Sequence, residues 1–327
     1  MGGPNFSTIT NFSTIIGALV AFGLVGAPHA NAAAFETDQL LLRDITGTVD
    51  IKTTTGGVID IEISQGGAFH EIKVEEVDGV LVVSGERWVD ELGPSCCDNR
   101  IRRTEDLRRD REATKGATPK KSFFDDYPTI VISMPIEGDV SFEDARIQLA
   151  MERLAGRLSL EGCYVYGETS DVETAIVGLI DGSQLAMGNI GAGLEVDISG
   201  DAGFLAGDVA MADVDIAGPG DVILGEIDGM LDVSIAGSGV LRATRLDGPM
   251  TARIAGSGGA AVKSGVADAL RATVDGSGGV YFGGEVKDPQ LRLHGSSEVR
   301  MRSVDGRVQK TGQGTVYVGD EVFSDDD

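Results

Sequence analysis

The chain has 327 residues, 42% of them hydrophobic but only 5% aromatic, and glycine occupies 47 positions. A core with so few rings rests on small and branched aliphatic side chains joined by frequent tight turns, which favours regular β architecture over a helical bundle. The formal net charge of −25 leaves no basic surface over the protein as a whole and argues against nucleic acid as a partner.

Residues 1–32 carry no charged side chain, and an apolar stretch at 15–25 leads into Ala30-Asn31-Ala32, a small-x-small cleavage pattern. A signal peptide over 1–32 is therefore expected, with a periplasmic or extracellular destination, although no Lys or Arg precedes the apolar stretch. That stretch falls short of the roughly 18 apolar residues a spanning helix needs. No later segment reaches that length either, so no stable membrane insertion is expected after cleavage.

Strand-like alternation at 47–52, 57–64, 71–77 and 80–85 predicts N-terminal β coils and a cap over residues 33–86. Residues 87–127 lack that alternation and gather Arg100, Arg102, Arg103, Arg108, Arg109, Arg111, Lys115, Lys120 and Lys121. They read as a basic inserted loop, mobile and outside the main body, with a short helix around 104–114. The loop holds Cys96 and Cys97, and the third cysteine is Cys163. In an oxidising compartment a bridge from one of the vicinal pair to Cys163 would tie the loop down, worth about 4 kcal/mol in the chain-entropy model, with one thiol left over. Metal binding by the trio lacks a nearby His, and adjacent cysteines do not readily serve one tetrahedral ion. A redox role lacks the C-x-x-C spacing.

From residue 128 to 320 the chain repeats itself. Glycines opening a small-residue turn recur at Gly162, Gly182, Gly200, Gly218, Gly237, Gly256, Gly276, Gly295 and Gly312, with spacings of 17–20 residues, and three of these turns are Gly-Ser-Gly. The residues four and two before the glycine are apolar in six consecutive coils, from Val196/Ile198 to Leu291/Leu293, and those four and six after it repeat the pattern. Each coil thus holds two strands with one buried face, flanking a glycine turn. Asp228-Gly229, Asp247-Gly248, Asp268, Asp288-Pro289 and Asp305-Gly306 mark another corner halfway round. The predicted fold is all-β, a right-handed parallel β-helix (solenoid) with coils of about 19 residues; an acidic tail, 321–327, follows.

Identical offsets in successive coils stack at strand spacing, so the outward positions form ladders. Five and three residues before the glycine stand Glu195/Asp197, Asp213/Asp215, Asp232/Ser234, Thr251/Arg253, Arg271/Thr273 and Gln290/Arg292, a face that grades from acid to base. Five neighbouring carboxylates, Glu195, Asp197, Asp213, Asp215 and Asp232, repel one another unless solvent, a basic partner or a cation intervenes. Calcium suits such oxygens, though the nonapeptide calcium-roll motif is absent. No other cofactor is expected. Five residues after the glycine, Tyr281, Arg300 and Tyr317 form a second ladder that would serve as a flat platform for sugar rings, with Arg300 between two tyrosine faces.

The Gly-Gly-Val-Ile-Asp-Ile-Glu-Ile run from Gly56, the Ile-Val-Ile-Ser-Met-Pro strand ending at Pro135, the Gly-Ser-Gly coils and Gly278-Gly279-Val280-Tyr281-Phe282-Gly283-Gly284 resemble the putative auto-transporter adhesin head domain (GIN domain) family. The resemblance covers most of residues 36–320, and the insertion at 87–127 departs from it. It implies a parallel β-helix in a bacterial envelope protein and carries over no active site.

Catalytic material is sparse. Beyond the leader only His70 and His294 remain, and no glycine-rich segment is followed by the Lys-Ser/Thr of a phosphate loop. The expected function is a noncatalytic cell-envelope or secreted adhesion module binding a surface, polysaccharide or protein. The alternative is a β-helix polysaccharide lyase or hydrolase, which needs carboxylates and a base converging in a cleft beside Asp197 and Asp215. An ice-binding face lacks a Thr-x-Thr ladder.

Overall fold

The computed structural model describes residues 33–64, 72–85, 124 and 127–323, and among these the chain is strand and turn with no helix. The expected signal peptide, the basic cluster at 100–121, the helix at 104–114, Cys96, Cys97, His70 and residues 324–327 lie outside them. The strands stack as a solenoid of about nine turns, coils about 19 residues apart.

In chain order the strands open with β1 (Ala33–Phe35), β2 (Gln39–Arg43), β3 (Thr46–Thr54), β4 (Ile59–Ser64), β5 (Lys73–Val77), β6 (Val80–Ser84), β7 (Thr129–Pro135), β8 (Asp139–Met151) and β9 (Leu154–Thr169). They continue with β10 (Val172–Ile180), β11 (Gln184–Met187), β12 (Ile190–Ser199), β13 (Gly203–Leu205), β14 (Ala212–Gly218), β15 (Asp221–Ile227), β16 (Leu231–Gly237), β17 (Val240–Asp247) and β18 (Met250–Gly256). The last are β19 (Gly259–Val262), β20 (Gly265–Ala267), β21 (Leu270–Gly276), β22 (Gly279–Lys287), β23 (Gln290–Gly295), β24 (Glu298–Asp305), β25 (Gln309–Gly312), β26 (Thr315–Val318) and β27 (Glu321–Val322).

Two long parallel sides follow from the pairings. The first runs β10-β12-β14-β16-β18-β21-β23-β25, with Ile198, Ile216, Ile235, Ile254, Val274 and Leu293 in one register column. All six side chains are buried, as the alternation predicts. The second runs β11-β13-β15-β17-β19-β22-β24-β26. Strands β8 and β9 bend through the corner and contribute to both sides, with a register irregularity at Phe142–Arg146.

A third, short side was not anticipated. Val172 pairs with Leu154 and Ile190, Ile190 bridges to Val209, Val209 to Ile227, and Ile227 pairs with Leu246. Each is buried. This side places one main inward side chain per coil through these turns, so it offers no alternation to detect.

The Gly-Ser-Gly turn has a packing origin. Gly218, Gly237, Gly256 and Gly276 adopt φ of 124–131°, and a Cβ there would overlap the carbonyl of the glycine one coil below. At the third position a Cβ on Gly220, Gly239, Gly258 or Gly278 would stand 2.5–2.9 Å from the γ2 methyl of Ile198, Ile216, Ile235 or Ile254. The isoleucine and the glycine are thus two halves of one contact.

Antiparallel pairing is confined to the ends. At the N-terminal end β7 joins β3 and β6 joins β2 in parallel, and onto these β4 on β7, β1 on β4 and β5 on β6 are antiparallel. At the C-terminal end β27 folds back on β26. On the first side Lys310 occupies the core column beyond Leu291, and an inward charge on the last strand discourages edge-to-edge growth.

Candidate functional site

The first side assembles the expected acid ladder. Glu195 pairs in register with Asp213 and Asp213 with Asp232, while Asp197 pairs with Asp215 and Asp215 with Ser234. Partial burial, then Asp215 and Glu195, push the Asp197 carboxyl above the usual aspartate range. Partial burial, then Asp232, Asp215, Glu195 and Asp197, do the same to Asp213. Glu161 is raised by burial and by Asp144 and Glu143. Arg253 donates to Asp232 at 2.7 Å and closes the acid block from the basic end. Among the described residues no group of three or more His, Cys, Asp or Glu stands in a geometry that could hold a metal ion. The carboxylates form a row along parallel strands, with no preformed calcium cage.

The second side assembles the second ladder. Arg242, Ala261, Tyr281, Arg300 and Tyr317 follow one another in register. The Arg300 guanidinium lies over the Tyr317 ring, 4.0 Å from its centroid, and Glu298 accepts a hydrogen bond from it. The Tyr281 hydroxyl lies back over Gly283, where a Cβ would come within 3.0 Å of it, and 47% of the residue remains accessible. Leu205 and Ile223, both exposed, extend the same column beyond Arg242.

Cys163 is disulfide-bonded, with its partner outside the described residues. Next to it, Tyr164 stacks with Tyr166 at 5.2 Å and with Phe124 at 6.2 Å. Phe124, at the end of the insertion, is only 4% exposed. Phe124 thus packs onto the solenoid beside Cys163.

His294 is exposed in a corner, whereas Ser297 is buried and its Oγ has no hydrogen-bond partner. Among the described residues His294 and Ser297 form no Ser–His pair.

No family model matches the chain, and no curated protein does. Among solved structures, a putative adhesin from Parabacteroides distasonis ATCC 8503 aligns over 89% of this chain and 98% of its own, at 14% identity and a TM-score of 0.40. A putative adhesin from Bacteroides fragilis NCTC 9343 aligns over 90% and 99%, at 15% identity and a TM-score of 0.27. A putative lipid binding protein from Parabacteroides distasonis ATCC 8503 aligns over 89% and 97%, at 14% identity and a TM-score of 0.30.

One ladder escaped the sequence reading. At a corner, Asp171 Oδ1 accepts from the Asn189 N–H at 2.7 Å, Asn189 Oδ1 from the Asp208 N–H at 2.8 Å, and Asp208 Oδ1 from the Glu226 N–H at 2.8 Å. Gly188, Gly207 and Gly225 clear the space for these oxygens, since a Cβ on each would collide with the acceptor. The recurring triplets Gly188-Asn189-Ile190, Gly207-Asp208-Val209 and Gly225-Glu226-Ile227 were the available signal. Part of the acidity is therefore structural: these side chains satisfy backbone donors of the next coil.

Proposed function

We propose that the protein is a noncatalytic, exported module of the cell envelope that binds a polysaccharide or protein surface along its second side. The observation that carries this reading is the outward column from Leu205 to Tyr317, which keeps strand register across seven strands and presents Ile223, Tyr281 and the Arg300–Tyr317 stack to solvent. A planar ring beside a guanidinium and a carboxylate offers a stacking surface and directional hydrogen bonds, the combination that suits a sugar. Against an enzyme, Asp197 and Asp215 stand on strands that pair through β12, β14 and β16 without a register shift, so no cleft opens between those strands. The cation nearest in register, Arg253, is occupied by Asp232. Among the described residues no helix is long and apolar enough to cross a membrane.

A glycan array probed with the exported chain tests the reading. Binding should fall at least about tenfold in Tyr281→Ala/Tyr317→Ala, the order expected for losing two stacking rings. Binding unchanged in that variant would remove the second side from the interaction.

A further inference from the structure

The first side carries a pattern that neither its packing nor the reading above uses. Two of its outward columns are acidic over β12, β14 and β16 and basic over β18, β21 and β23, on strands of one unbroken register, while the third, of Ala217, Ala236 and Ala255, adds the exposed Asp275 on β21. A face with opposite charges at its two ends is self-complementary when a second copy lies on it with the rod reversed.

We propose that this side is an antiparallel interface between two copies of the chain. A two-fold axis parallel to the strands, between β16 and β18, lays β14 over β21 of the second copy and β12 over β23, while each outward column meets itself. Asp213 then faces Arg271 of the second copy, and Asp197 faces Arg292 of the second copy. At the centre Asp232 and Arg253, already paired within one chain at 2.7 Å, meet the same pair. Symmetry makes every contact occur twice.

Three observations support this occupant over others. Asp213 and Arg271 are both exposed and lie in one register column, and Asp197 and Arg292 are both exposed and lie in the neighbouring one. The match therefore requires no rearrangement. A wholly cationic partner would satisfy the acidic half and be repelled by the three arginines, and a wholly anionic one would fail in reverse. Asp197 and Asp213 are also the ladder members whose carboxyls are raised by burial and like-charged neighbours, so an opposing guanidinium relieves them most.

Size sets the expected strength. Six strands at ~4.8 Å spacing and about six residues at ~3.3 Å give a footprint of roughly 570 Å² per copy, or ~1,100 Å² in total, at the low end for a specific interface. The association should be weak, on the order of 10 μM, and salt-sensitive. It is independent of the second side, so its failure leaves the proposed function untouched.

Sedimentation velocity on the exported chain across concentration provides the test. The wild type should form a dimer in low salt, and about 0.5 M sodium chloride should weaken it at least tenfold. Arg271→Asp/Arg292→Asp should be monomeric, and so should Asp197→Arg/Asp213→Arg, because each reversal sets like charges face to face. Mixed one to one, these two variants should associate again, since every cross-copy pair is then opposite in sign, and this recovery excludes misfolding as the cause of the loss. A wild type that stays monomeric in low salt, reversal variants that dimerise like the wild type, or a mixture that stays monomeric would each overturn the proposal.

Discussion

Rungs β12–β16 and β18–β23 can be compared residue by residue, because strand register places them in the same columns. Inward they match: Ile198, Ile216 and Ile235 on one block continue as Ile254, Val274 and Leu293 on the other, all buried. Outward they differ in sign along two columns, with Asp197, Asp213, Asp215 and Asp232 on one and Arg253, Arg271 and Arg292 on the other, and Asp275 is the exception on the second block. A solenoid thus divides its sequence cleanly, since alternate residues of one strand answer to different selection: the inner set to packing between coils, the outer set to whatever meets the side. The two faces of a single strand should therefore respond to the same chemical change very differently.

The sharpest way to break that comparison is to put one carboxylate on each face of β16. Ile235→Asp buries an unpaired charge between two coils and should cost about 4 kcal/mol or more in chemical denaturation. Ser234→Asp, one residue away and facing outward between Asp215 and Arg253, should stay within about 0.5 kcal/mol, because the like-charge contact on one side is offset by the opposite charge on the other. Similar costs for the two would mean that the register of this side is wrong.

The corners allow a second test, of intermediate size. Gly256→Ala places a methyl group on a backbone with φ of 125° and against the carbonyl of Gly237. The expected loss is about 2–3 kcal/mol. Ser257→Ala, at the exposed middle of the same turn, should stay within about 0.5 kcal/mol. Both can be read from denaturation midpoints at constant m.

What was legible in the sequence follows the same division. The inward columns of the two long sides could be read because each coil places at least two alternating apolar residues there, and the outward ladders followed by subtraction. The short side could not: Val172, Ile190, Val209 and Ile227 supply one residue per turn, and a single position has no period of its own. The Asp171–Asn189–Asp208 ladder was hidden for a related reason, since its hydrogen bonds run between residues 18 or 19 apart and its members resemble ordinary turn residues. The acid ladder was read correctly as a row, but whether a row becomes a chelate depends on side-chain convergence, which spacing along the chain does not encode. Phe124 was assigned to a free loop because its contact, Tyr164, lies 40 residues on.

A pair of buried serines gives the third test. Ser183 and Ser297 occupy equivalent places before a strand of the second side, and both are buried. Ser183 Oγ accepts from the Val165 N–H at 3.1 Å, whereas Ser297 Oγ has no partner. Truncation should therefore act in opposite directions. Ser297→Ala should stabilise by about 1 kcal/mol, since it removes a desolvated hydroxyl, and Ser183→Ala should cost about 1 kcal/mol, since it orphans a buried N–H. Equal signs would show that burial alone, not hydrogen bonding, governs these sites.

The smallest effect concerns the acid block itself. Burial and like-charged neighbours raise the carboxyls of Asp197, Asp213 and Glu161 above the ordinary carboxylate range, so just above that range the folded state binds more protons than the unfolded state. Stability then falls as pH rises through that range. Each raised carboxyl withdraws stability once ionised and restores it on protonation, so the melting temperature should rise as pH is lowered from neutral toward about 5, before other carboxylates dominate. Asp197→Asn/Asp215→Asn removes two of the mutually repelling charges and should stabilise the protein at neutral pH by about 0.5 kcal/mol, flattening the rise. Calcium discriminates between a row of solvated carboxylates and a site. With the geometry described, calcium chloride and sodium chloride at matched ionic strength should shift the melting temperature alike in wild type and variant, because both only screen. A calcium-specific rise in the wild type that disappears in the variant would mean that the carboxylates close around the ion, since binding the folded state alone stabilises it by mass action.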